Sequence, residues 1–114
     1  VAVGEDVGVC EIVPYSPDPT NVGAQKVVAG SGNIPMVKLD TFEYENIGCI
    51  KIDVEGFETQ VLKGAINTID EHSPLLYIEA WDNKALRDVM NILTPLGYAP
   101  RQRFNATPTY LITR

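Results

Sequence analysis

The sequence predicts a mixed α/β domain whose sheet has parallel strands at its centre and an antiparallel hairpin at its C-terminal end. Three observations predict it. Cys49-Ile50-Lys51-Ile52-Asp53-Val54 is rich in β-branched residues, and just beyond Glu55-Gly56 the apolar spacing changes from strand-like to helical. A second apolar run, residues 75–81, is also followed by a helical pattern, so strand and helix alternate. The chain then closes on two strand-like pieces flanking an Asn-Ala-Thr-Pro turn.

In chain order, Val1-Ala2-Val3 reads as a very short strand, Gly4-Glu5-Asp6 as a turn, and residues 7–13 as a longer strand. With no capping residue ahead of Val1, the chain reads as opening in mid-structure. Residues 14–35 are dense in Pro, Gly, Asn and Ser and predict a long loop with at most a brief strand at 25–29. Loops of that length inside a compact domain tend to be functional. Residues 36–39 alternate as a short strand, and residues 49–54 form the clearest strand of the chain. Phe57, Val61, Leu62, Ala65, Ile66 and Ile69 then follow one helical face, with Glu55 and Glu58 at the positive N-terminal end and a stop before Ser73-Pro74. The near-continuous apolar run from Leu75 to Trp81 predicts a strand covered on both faces. Asp82 or Asn83 caps a second helix with core face Ala85, Leu86, Val89, Met90 and Leu93, which Leu96-Gly97 ends. Residues 98–104 and 109–113 form the terminal hairpin.

One hundred and fourteen residues suffice for a single domain, 1–114. A net charge of −6 disfavours a protein that gains affinity by neutralising phosphates, so nucleic acid is not an expected partner. No apolar run approaches the roughly 20 residues needed to cross a bilayer, and the first residues lack the order of a signal peptide. No membrane partner is expected. Cys10 and Cys49 lack metal-site spacing and read as two reduced core thiols of a cytoplasmic protein.

In an open α/β sheet, ligands bind beyond the carboxyl ends of the parallel strands. The residues there are acidic. Asp53 and Glu55 close the first strand, on one face if the backbone stays extended, and Glu79 closes the second. Three converging carboxylates could furnish a general base or hold a divalent cation; equally, Glu55 could cap the next helix and Glu79 could face water. Trp81 would share the face of Glu79 as a substrate wall, or serve as core. His72, the single histidine, falls where the first helix ends and has no catalytic constellation around it. Gly30-Ser31-Gly32 leads into a strand rather than a helix, so it is no cofactor cradle.

Ile50-Lys51-Ile52-Asp53-Val54-Glu55-Gly56-Phe57-Glu58, Val61-Leu62-Lys63-Gly64-Ala65 and Pro74-Leu75-Leu76-Tyr77-Ile78-Glu79 closely resemble the second half of FkbM-type S-adenosylmethionine-dependent methyltransferases. Ala2-Val3-Gly4, Gly8, Asn21-Val22-Gly23, Val37-Lys38-Leu39-Asp40 and Leu96-Gly97-Tyr98 fit the same series of landmarks. The resemblance implies a partial Rossmann-like methyltransferase fold. Complete members begin with a strand and an Asp-x-Gly-Ala-Asn-like turn that holds the methyl donor. That donor-binding half is missing from this sequence, so the resemblance implies S-adenosylmethionine as cofactor of the complete fold rather than of this chain alone. Position by position, the resemblance implies that Asp53 faces the donor's methyl group and a small-molecule acceptor, with Glu55 beside it. Asn21 is a candidate acceptor contact, or simply part of an Asn-x-Gly turn.

Three readings follow: a methyltransferase cut short and inactive alone, a binding or assembly module that kept half the fold, or an acidic-rim metal enzyme. The last ranks lowest because no histidine joins the carboxylates. In the full fold the 49–54 strand is flanked by the first strand; without it, an unpaired edge remains. The expected remedies are cover by the N-terminal segment or a homodimer through that edge.

Overall fold

The computed structural model describes residues 1–14, 17–21 and 23–114; Tyr15, Ser16 and the Val22 of the Asn21-Val22-Gly23 piece lie outside them. The strands divide between two four-stranded sheets. In the first, β1 (Ala2–Val3) runs parallel to β4 (Ile34–Val37), β4 pairs antiparallel with β2 (Gly8–Pro14), and β2 with β3 (Gln25–Ala29). In the second, β5 (Cys49–Ile52) is parallel to β6 (Leu75–Glu79), and the hairpin of β7 (Ala99–Phe104) and β8 (Thr109–Thr113) joins β6 antiparallel. This is the expected mixed sheet with its C-terminal antiparallel hairpin. One core spans both units, from Cys10 and Met36 in the first sheet to Phe57, Leu62, Leu76, Ile78, Leu93 and Ile112.

Several local expectations change. The predicted strand at 36–39 starts and ends earlier, at Ile34–Val37, and Leu39–Thr41 winds into a 3₁₀ turn instead. The predicted single helix after Gly56 is two, α1 (Glu58–Lys63) and α2 (Ile66–His72), with Gly64 and Ala65 between them. Long-range contacts make the break. The Gly64 carbonyl accepts from the Asp40 amide at 2.9 Å, and the Asp40 carboxylate accepts from Thr68 N (2.8 Å) and Asn67 N (3.1 Å). Asp40 therefore caps α2 from 28 residues away in sequence, a role that no local capping pattern announces. Asp40→Ala is expected to lower the unfolding free energy by about 1–2 kcal/mol. Urea titration checks this, and an unchanged midpoint would refute it.

Helix α3 (Asn83–Leu93) meets expectation: Asp82 is its N-cap, accepting from Ala85 N at 2.8 Å, and Gly97 adopts φ 84° just past the closing turn. The C-terminal Arg114 fastens the hairpin to the helices. Its guanidinium donates to Leu96 O at 2.7 Å, contacts the Asp70 carboxylate and the Ser73 hydroxyl, and lies over the Tyr98 ring. Among the described residues no helix is long and apolar enough to cross a membrane.

Strand β6 is not covered on both faces. Leu76 and Ile78 are buried, whereas Leu75 is exposed and Tyr77 half-buried. In β5, likewise, Ile52 is buried while Cys49 and Lys51 are exposed. Burial alternates along both strands, so one face of this sheet packs on the core and alternate side chains point to an open face. Cys49 is consequently not the core thiol expected; Cys10 is.

Candidate active site

Strands β5 and β6 run side by side with Ile52 beside Ile78. Both side chains enter the core, and one residue further on Asp53 and Glu79 point to the opposite, open face. The strand does not continue to Val54 as predicted; β5 ends at Ile52, and Val54–Phe57 folds into a tight turn closed by Phe57 N to Val54 O at 3.3 Å. Its two central residues, Glu55 (φ 51°) and Gly56 (φ 91°), are both left-handed. Glycine adopts that conformation freely, whereas glutamate pays about 1 kcal/mol for it. Glu55 thus reaches its neighbours through a turn, not through the extended i, i+2 spacing expected.

Side-chain oxygens of Asp53, Glu55 and Glu79 all lie within 4.8 Å of one another. Helix α1 carries no side-chain cap, so Glu55 does not take the capping role considered for it; Glu58, which is buried, accepts instead from the turn amides Gly56 N at 3.1 Å and Val54 N at 3.4 Å. Glu58 holds the turn; Glu55 is left at the rim. Asp53 accepts from Lys51 Nζ at 3.1 Å, and Glu79 accepts from Trp81 Nε1 at 2.9 Å. Trp81 is exposed rather than core.

Burial pushes the Glu79 carboxyl above the ordinary carboxylate range, and the nearby Asp53 and Glu55 carboxylates add to the shift, against the Trp81 hydrogen bond. The folded chain therefore holds a proton at Glu79 more tightly than the unfolded chain does. Stability falls as pH rises from the ordinary carboxylate range through the raised value, and levels off above it. Glu79→Gln is expected to remove that slope and raise the unfolding midpoint at neutral pH. Thermal unfolding across pH tests this; a variant less stable than the parent at pH 7 would contradict it.

Asn21, Glu55, Glu79, Trp81 and Thr107 line one cleft of about 610 Å³. Cys49, Lys51, Asp53, Tyr77 and Glu79 line a neighbouring one of about 660 Å³ on the open sheet face, so Glu79 borders both. All five predicted site residues thus meet around two adjoining clefts. Pro17 and Thr107, which also border the first cleft, were not foreseen: they come from a loop and a hairpin turn whose positions depend on long-range packing. The carboxylates offer hard oxygen ligands only, and no histidine joins them.

The Methyltransferase FkbM domain family model matches residues 6–100. The chain belongs to that family. A crystal structure of methyltransferase FkbM from Methylobacillus flagellatus KT shares the fold over 98% of this chain, with 25% sequence identity and a TM-score of 0.63. The chain spans 26% of that protein's length. Among curated proteins none matches it.

The described residues do not fit the FkbM methyl donor by themselves. Gly30 and Gly32 lead into β4 rather than a helix, and the one strand-to-helix turn with a left-handed glycine, Val54–Phe57, presents Glu55 and is packed by Glu58. What they provide is one acidic wall beside an exposed indole.

Proposed function

We propose that the protein to which this FkbM domain contributes transfers a methyl group from S-adenosylmethionine to a hydroxyl on a small-molecule acceptor. This chain supplies the acceptor-facing wall and is inactive without the donor site. The convergence of Asp53, Glu55 and Glu79 at the carboxyl ends of two parallel strands carries this reading. An acceptor hydroxyl becomes nucleophilic as its proton moves to a carboxylate, and Asp53, its side chain 43% exposed, is open to such a group. Glu55 borders the same cleft and orients the acceptor. Glu79 takes the N–H of Trp81, holding the indole as a wall, and Asn21 contributes an amide from the facing loop. The net charge of −6 speaks against nucleic acid as the acceptor. Two unpaired cysteines, one of them exposed, suit a reducing compartment, so the cytoplasm is the proposed location.

A non-catalytic binding module is the second reading, favoured by the lack of a donor cradle among the described residues. Donor carrying a labelled methyl group, offered to the complete protein with a panel of hydroxylated acceptors, separates the two. Label recovered on an acceptor oxygen supports the enzyme. Label on nitrogen or carbon overturns the hydroxyl assignment, and no transfer by a protein that binds the donor favours the module.

A further inference from the structure

Asn21 reaches the first cleft from a loop, so the direction of its amide depends on what holds that loop. The stretch Pro17-Asp18-Pro19-Thr20-Asn21 supplies its own fastening. Residues 18–21 form a β-turn closed by Asn21 N donating to Asp18 O at 3.1 Å, with Asp and Pro at the two positions where such a turn favours them. The Asp18 carboxylate adds two bonds. Its Oδ1 accepts from Thr20 N at 2.9 Å and from the Thr20 hydroxyl at 2.7 Å, and these bonds hold the Asp18 carboxyl below the ordinary carboxylate range. On its other side, Asn21 O accepts from Ala24 N at 3.3 Å, one residue before β3 begins. Asn21 is therefore tied to a turn behind it and to a strand ahead. Pro17 and Pro19 narrow the alternatives, because each ring fixes φ near about −65° and a residue ahead of proline is steered away from helical backbone. Asp18 borders a different hollow, of about 370 Å³, which Asn21 also lines.

We propose that Asp18 is a positioning residue for the methyl acceptor: its carboxylate locks the 18–21 turn and so holds the Asn21 side-chain amide in the cleft, without itself touching the acceptor. This rests on the reading in which Asn21 contacts the acceptor. All the bonds involved run between residues two or three apart, so the donor-binding half of the complete protein takes no part in them. A turn locked before the acceptor arrives spares the cost of ordering the loop on binding. Acceptor affinity is the quantity that Asp18 governs, while the carboxylates that meet the reacting hydroxyl stay as they are.

In the complete protein, Asp18→Ala should raise KM about five-fold for whichever panel acceptor takes up label, the loss of roughly one hydrogen bond, with kcat and the donor KM within about two-fold of the parent. Asp18→Asn, which can still accept from Thr20, should recover most of that loss. Asn21→Ala should cost as much, and adding Asp18→Ala to it should cost nothing further. An unchanged KM in Asp18→Ala, a fall confined to kcat, or losses that add in the double variant overturn the proposal and leave the reaction standing, as does a parental KM in Asn21→Ala. A parent that methylates no acceptor overturns the proposed function, and this inference with it. Amide exchange in the same protein reads the turn without activity. Asp18→Ala should speed exchange at Asn21 and Ala24 and leave Leu76 unchanged; equal exchange at all three in variant and parent shows that the carboxylate does not hold the turn, and overturns the proposal alone.

Discussion

Gly64→Ala is expected to lower the unfolding free energy by about 3 kcal/mol, the upper part of the range for overpacking a filled site. At an exposed helical position the same change would stabilise by about 1 kcal/mol, because alanine restricts the unfolded chain and favours the helix. Sterics reverse the sign here. A Cβ on Gly64 would stand 1.9 Å from the Gly4 carbonyl oxygen, and that atom belongs to backbone tied to Val37 O through the Gly4 amide at 2.9 Å. The contact is relieved only by moving the N-terminal sheet away from α1, which also strains the Asp40 amide bond to Gly64 O. Urea denaturation gives the magnitude. Faster amide exchange at Gly4 and Asp40 than at Leu76 would locate the damage, and a variant as stable as the parent would refute the argument.

Asp53→Asn is expected to slow methyl transfer by the complete protein about 100-fold or more, the usual contribution of a positioned general base. Asparagine keeps the volume and can still accept a hydrogen bond, but it cannot take up the acceptor's proton. Fold stability should move the other way. The substitution removes one of the charges pressing on Glu79, so the unfolding midpoint at neutral pH should hold or rise, offset only slightly by the loss of an exposed ion pair with Lys51. Lower activity with undiminished stability marks a residue retained for function. Equal losses in both would mark Asp53 as structural, and unchanged transfer would move the base to Glu55 or Glu79.

Much of the fold was legible because it is written in local patterns. The change of apolar period at Gly56, the Asp82 cap, the Gly97 stop and the Asn-Ala-Thr-Pro hairpin each need only neighbours along the chain, and each appears where expected. The KIDVEG block carried the family as well. The split of the first helix was not legible, because periodicity continues through Gly64 and Ala65 while the cause, Asp40 and Gly4, sits far off in sequence. The continuous hydrophobicity of residues 75–81 likewise states that the strand is apolar, not what lies against each face.

The same division runs through the acidic rim. Sequence alone determined that carboxylates end both parallel strands, since strand termini are set by local composition. Only the tertiary structure decided what each carboxylate does. Glu58 took the turn amides, a left-handed Glu55 was freed to meet Asp53 and Glu79, and Trp81 bonded Glu79 at the surface instead of entering the core. Side-chain partners depend on distances across the sheet, and those exist only after the chain has packed.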